Sequence, residues 1–183
     1  MNKIIVSNYP MVNPAPIVLV GAEADGRANY AAVGAFGVVC QGPVFYISLK
    51  RNNHTAKGVM DTGYFSVNLI NEAMLPRADY CGRVSGRDAD KSAVFESFYD
   101  DAGRAPMIAE SPMNYLCRVA RQTDIQDFEV FFGEIIKTFA DEACISGGRP
   151  DPIKIAPVLG MGAVYYGLGK PMGGVFRVPG YGG

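Results

Sequence analysis

The chain has 183 residues, 49% of them apolar, and a formal net charge of −1. That length fits one domain, residues 1–183, with a sizeable core. The near-neutral balance argues against a nucleic-acid binder, which carries a basic excess, and the apolar run Ile17–Val20 is far too short to span a bilayer. Twenty-two glycines and twelve prolines favour a turn-rich fold with many strands.

Pro10, Pro14 and Pro16 make the start of the chain extended. Ile17 to Gly21 reads as a buried strand, followed by a turn at Ala24-Asp25-Gly26. Gly34 to Cys40 is a second apolar strand, Gln41-Gly42-Pro43 a turn, and Val44 to Lys50 a third strand. Thr55 to Thr62 fits a short helix with Thr55 as its cap and Gly63 as its stop. Tyr64 to Ile70 is a fourth strand, with Phe65, Val67 and Leu69 on one face. Glu72 to Arg83 reads as helical, and Lys91 to Tyr99 as another helical turn or two. Met113 to Arg121 and Phe128 to Ala140 are two long strands joined at Gln122 to Asp127. The second is apolar on both faces, so it should be covered on both, by a barrel interior and by a partner chain. Ala163 to Leu168 is the last strand, and the glycine-rich tail after Gly169 should lie over the surface or over a second subunit. Closely spaced strands with few helices point to a small barrel, closed or partly closed.

The stretch Val44 to Val59 carries the most chemistry. A strand delivers Lys50 and Arg51 into a polar loop that runs into a helix start, where backbone N–H groups lack partners and the helix dipole is positive. Ser48, Lys50, Arg51, His54 and Thr55 add donors around that point, which suits a phosphate. An ordinary solvated connection with a threonine cap has the same outline, but capping needs no Lys-Arg pair. In Asn29 to Gly37, small residues let backbone approach a flat ligand, and they equally suit close packing of strands. In Tyr80 to Lys91, two arginines and Lys91 either face an anion or belong to a solvated loop with a local Asp90–Lys91 pair. Tyr165-Tyr166 forms an aromatic wall or simply packs in the core.

Other chemistries lack their residues. The four cysteines, Cys40, Cys81, Cys117 and Cys144, form no CxxC pair and read as small core residues in a reducing compartment. One histidine provides neither a metal cluster nor a triad, and there is no GxSxG elbow. His54 suits phosphate contact or loop packing before proton transfer. No catalytic residue and no metal ligand are assigned. The N-terminus lacks a basic segment followed by an apolar one, so a soluble, cytoplasmic protein is expected.

Several segments, taken in order, resemble the flavin reductase-like, FMN-binding split-barrel family, most closely its flavoredoxin branch. They are Pro14 to Val20, Asn29-Tyr30-Ala31-Ala32, Pro43 to Leu49, His54-Thr55, Gly63 to Leu69, and Asp79-Tyr80-Cys81-Gly82-Arg83-Val84-Ser85-Gly86 followed by Asp90-Lys91. The resemblance runs from Pro14 to Leu168. It implies a mainly β protein with short helices, a split six-stranded antiparallel Greek-key barrel, working as a homodimer with FMN near the subunit interface. Carried over residue by residue, Asn29, Tyr30, Ala31 and Ala32 would border the isoalloxazine ring. Ser48, Leu49, Lys50 and Arg51 would follow the ribityl chain, His54 and Thr55 would close the phosphate site, and Lys91 and Tyr165 would lie near the cofactor. The implied function is an FMN-dependent oxidoreductase fed by NAD(P)H or a redox protein. The alternative is an electron-transfer or flavin-carrier protein without NAD(P)H turnover. Two departures stand out. Relatives often place a tryptophan soon after the Asn-x-Ala-Ala segment, where this tryptophan-free chain has Val33 to Phe36, and an arginine two residues before the threonine, where it has Asn53.

Overall fold

A computed structural model describes residues 2–5, 13–40 and 42–175; Pro10 and Gln41 of the expected extended start and turn lie outside them. In chain order the strands are β1 (Ala15–Pro16), β2 (Val18–Ala24), β3 (Arg27–Val33), β4 (Phe36–Val38) and β5 (Val44–Lys50). Helix α1 (His54–Thr62) leads to β6 (Tyr64–Leu69), and α2 (Leu75–Arg83) follows a 3-10 turn at Glu72–Met74. Then come β7 (Ser97–Phe98), β8 (Met107–Ile108), β9 (Met113–Ile125), β10 (Phe128–Ala140), β11 (Ile145–Ser146) and β12 (Arg149–Pro150). Helix α3 (Pro152–Ile155), β13 (Leu159–Met161) and β14 (Val164–Tyr166) end the regular structure. Among the described residues no helix is long and apolar enough to cross a membrane.

The fold is mainly β with a few short helices. Seven antiparallel strands, in the order β3-β2-β6-β9-β10-β5-β4, make one curled sheet shaped as a half-barrel. Six are long; the seventh, β4, has three residues and sits at the edge. Period-2 alternation sends Val18, Val20 and Ala22 to the concave side and Leu19 to the other. The concave side is filled by Ile47, Leu49, Phe65, Val67 and Phe131, with Ala56 and Val59 of α1 packed among them. On the outer face of β2 and β3, α2 and the segment around Phe95 and Ile108 cover Leu19, Ala28 and Tyr30. The sheet is therefore buried on both sides where β2 and β3 run, which makes those strands rigid supports for whatever sits at their ends.

Local chemistry explains the turns. Asp25 (φ 52°) and Gly26 (φ 74°) form the two-residue connection of the β2–β3 hairpin, where positive φ matches the twist of the strands. Gly63 (φ 73°) ends α1 in the left-handed conformation, its N–H bonded to the Val59 carbonyl.

Four local expectations are corrected. The cap of α1 is Asn53, whose side chain accepts from the Thr55 N–H at 2.8 Å, and Thr55 is already helical. Asparagine caps as well as threonine does, and the Thr55 hydroxyl has another partner. Helix is absent from Lys91 to Tyr99; the segment is turns followed by β7, paired with β8. The span 34–40 keeps only three strand residues, after a bend at Gly34-Ala35. Tyr165 and Tyr166 are 41% and 44% exposed, so core packing does not account for them. Of the cysteines, Cys81, Cys117 and Cys144 are buried as expected and Cys40 is exposed. The tail from Lys170 to Val175 is exposed and outside regular structure.

Candidate functional site

The start of α1, the middle of β3 and the segment after α2 converge on one groove. Asn53 takes the Thr55 N–H, and the Lys57 N–H reaches the Asn53 carbonyl, so the N–H groups of His54 and Ala56 have no acceptor among the described residues. Lys50, Asn52, Asn53 and His54 line this end of the groove, which has a volume of about 230 Å³. Lys50 is exposed and makes no ion pair among the described residues. The imidazole of His54 is 12% exposed, and its buried Nδ1 has no hydrogen-bond partner among the described residues. Its Nε2 lies 3.6 Å from Asp25 Oδ2, so Lys50 and the free N–H groups of α1 are the donors here without an anion of their own.

The walls are the backbone and small side chains of Ala31 and Ala32 on one side and of Cys81 to Gly86 on the other. Gly82 lies so close to β3 that an added Cβ would sit 3.2 Å from the Ala32 Cβ. At Gly86 an added Cβ would run into Asn29 Oδ1 and come within 2.9 Å of His54 Cδ2. Glycine is therefore required for the loop to close down on Asn29 and His54.

Lys91 ties these pieces together. It is 3% exposed, and its Nζ donates to the carbonyls of Tyr30 (2.5 Å), Val84 (3.1 Å) and Cys81 (3.3 Å). No carboxylate among the described residues balances it, and burial pulls its pKa below the usual lysine range. The expected Asp90–Lys91 pair is replaced: Asp90 accepts from the Ser92 N–H at 2.9 Å and pairs with Arg27 at 2.9 Å, and these bonds hold its carboxyl down to about 2. A buried ammonium without a counter-ion, beside a groove, favours a bound anion or a partially negative ligand edge.

A second cleft of about 520 Å³ meets the groove at His54, Gly86 and Lys91. Its basic residues are largely engaged, Arg27 with Asp90 and Lys57 with Asp25 (2.8 Å) and Asp61 (2.7 Å). At its other end the groove opens into a third cleft through Ala32, Gly82 and Arg83.

The residues singled out in the sequence are distributed unequally. Ala31, Ala32, Lys50, His54 and Lys91 line the groove. Asn29 stands behind it, its Nδ2 donating to the Thr55 hydroxyl at 2.7 Å, and both are buried. Tyr30 faces the other side of the sheet, edge-on to Phe95 and bonded to Ser97 at 2.7 Å; only its carbonyl reaches Lys91. Leu49 is in the core, and the Ser48 N–H is bonded to the Ala35 carbonyl. Arg51 turns to the β9–β10 hairpin, pairing with Glu129 (2.9 Å) and Asp124 (3.1 Å). Tyr165 lines the third cleft. The segment Cys81 to Gly86 reads in the sequence as a loop with charges; its glycines, spaced to admit close backbone approach, were the available signal.

A curled antiparallel sheet with a groove between β3, the start of α1 and the loop after α2 defines the class. Residues 11–148 match the family described as "Flavin reductase like domain", and the chain belongs to that family. The flavoredoxin from Methanosarcina acetivorans is similar in structure, at 34% identity over 97% of each chain and a TM-score of 0.92. The flavoredoxin of Desulfovibrio vulgaris (Miyazaki F) is 29% identical over 97% of this chain and 98% of its own, with a TM-score of 0.87. An FMN-binding protein from Thermus thermophilus, 17% identical over 96% of this chain and 98% of its own, shares the fold at a TM-score of 0.80.

Proposed function

We propose that this chain is an FMN-binding oxidoreductase that passes electrons from NAD(P)H or a protein donor to an acceptor. The observation that carries the reading is the groove running from the unpartnered N–H groups of α1, beside Lys50 and His54, along the flat wall of Ala31 and Ala32 to Gly82. The residues fit the group. The donor-rich end suits the phosphate, and the narrow wall suits a planar ring. Lys91 holds a positive charge against the groove, where it favours added electron density on a ring edge. When bound, the flavin supplies the redox chemistry, and the protein positions and tunes it. Asn29 and Thr55 brace the wall from behind.

Purified protein soaked with FMN is expected to show two flavin bands in the near-UV and blue. Lys50→Ala with His54→Ala should weaken FMN binding by about 100-fold, two charge-assisted contacts at about 1.5 kcal/mol each. A double variant that holds FMN as tightly as the parent would place the phosphate elsewhere. Steady-state oxidation of NADH and NADPH then separates an oxidoreductase from the electron-transfer protein that the flavoredoxin neighbours also support.

The reading includes a homodimer in the cytoplasm, built as a single domain. A cleft lined by Val39, Val44, Ala120 and Phe132 together with Arg121 and Thr123, with Val38 (66%) and Ile125 (60%) exposed nearby, supports a second copy on the β4–β5–β10–β9 side. Sedimentation at micromolar concentration should give the dimer mass; a monomer alone would remove this part of the reading.

A further inference from the structure

The third cleft has chemistry of its own. Val33 and Gly34 at the end of β3, Asp79, Gly82 and Arg83 of α2, and Tyr165 of β14 enclose about 260 Å³. An apolar cavity of about 150 Å³ already admits benzene, so there is room here for one substituted aromatic ring. The floor is apolar, formed by Ile17, Ala32 and Val33.

The rim is polar and ordered. Tyr165 Oη donates to Asp79 Oδ1 at 2.9 Å, and Arg83 Nε donates to Asp79 Oδ2 at 2.8 Å. These two bonds keep the Asp79 carboxyl below the usual range, so it is ionised and both oxygens are engaged. The second of these bonds holds the Arg83 guanidinium by its Nε edge. Its Nη1 and Nη2 have no partner among the described residues, and the side chain is 70% exposed. An oriented guanidinium with two free terminal nitrogens matches a planar carboxylate in a two-point contact. The Asp79–Arg83 pair is neutral overall, so recognition here depends on contact geometry rather than on long-range attraction.

We propose that this cleft binds a small aromatic carboxylate, with the ring on the Ala32–Val33 floor and the carboxylate on Arg83. Its connection to the flavin groove through Ala32, Gly82 and Arg83 makes it a substrate subsite, a role that rests on the flavin reading; the binding itself does not.

The test is calorimetric titration of the FMN-soaked protein with sodium benzoate at constant ionic strength, with benzamide as the neutral isostere. Benzoate should bind saturably at one site per chain, and benzamide about tenfold or more weakly. Arg83→Met should weaken benzoate about tenfold or more, to the benzamide level, and Arg83→Lys should retain part of the preference. Circular dichroism should be unchanged in both variants, because Arg83 is exposed, and benzoate affinities are compared at equal flavin occupancy, since Arg83 also borders the flavin groove. Three results would overturn the subsite: no saturable benzoate binding, equal affinity for benzamide, or unaltered affinity in Arg83→Met. A protein that takes up no flavin yet binds benzoate through Arg83 overturns the proposed function and leaves the subsite standing.

Discussion

Lys91→Met is expected to lower the unfolding free energy by about 2–4 kcal/mol and to strip the flavin. The methionine fills the same shaft but donates nothing. The buried carbonyls of Tyr30 and Cys81 and the half-buried carbonyl of Val84 then lose their shared partner. An orphaned buried polar group costs about 1–3 kcal/mol. Removing a desolvated ammonium works in the opposite direction, since burial already disfavours the charge. Three carbonyls outweigh one ammonium, so the net sign is destabilising. The same amine holds the end of α2 against β3, so its loss opens the wall between Ala32 and Gly82. A urea midpoint shifted at constant m, with FMN titration alongside, checks both effects. A variant as stable as its parent would show that the amine does not strap α2 to β3.

Gly58→Ala should destabilise the fold by about 1–3 kcal/mol despite the better helix former. Gly58 faces β2, and an added Cβ would run into the Glu23 carbonyl oxygen and lie 3.2 Å from the Ala22 Cβ. A backbone carbonyl cannot rotate away as a side chain does, so α1 must retreat by roughly 1 Å. Alanine gains about 1 kcal/mol of helix propensity, which the clash exceeds. Retreat of α1 also pulls Thr55 from Asn29, now 2.7 Å apart, and carries His54 off the groove. Flavin affinity should fall together with stability, although Gly58 does not line the groove. Equal melting temperatures for variant and parent would contradict the close α1–β2 packing.

Much of the architecture is legible in the residue order. The alternation in Val44 to Lys50 and Tyr64 to Leu69 marks strands with one face in the core, and both are strands within a residue of their expected ends. Gly63 stops α1 because only a residue tolerant of positive φ fits there. The span Lys91 to Tyr99 misled because Val94, Phe95 and Phe98 have helical spacing. Two of its residues instead pair with Met107-Ile108, a partner that pattern cannot reveal. The site was half legible: Lys50, His54, Ala31 and Ala32 line the groove, whereas Arg51 carries the right charge and spends it on Glu129.

Residue order alone determined the turn at Ala24-Asp25-Gly26, the alternating faces and the donor-rich loop ahead of α1, because these depend on neighbours a few positions apart; that Arg27–Val33 returns as a strand beside β2 did not follow from it. Tertiary structure alone decided that Lys91 reaches Tyr30, 61 residues away, that Thr55 braces Asn29 across 26, and that Tyr165 meets Asp79 across 86. A buried polar group bonds to whatever the packing brings within about 3 Å. That choice follows from strand order and the closure of the sheet on its helices, which no local pattern encodes.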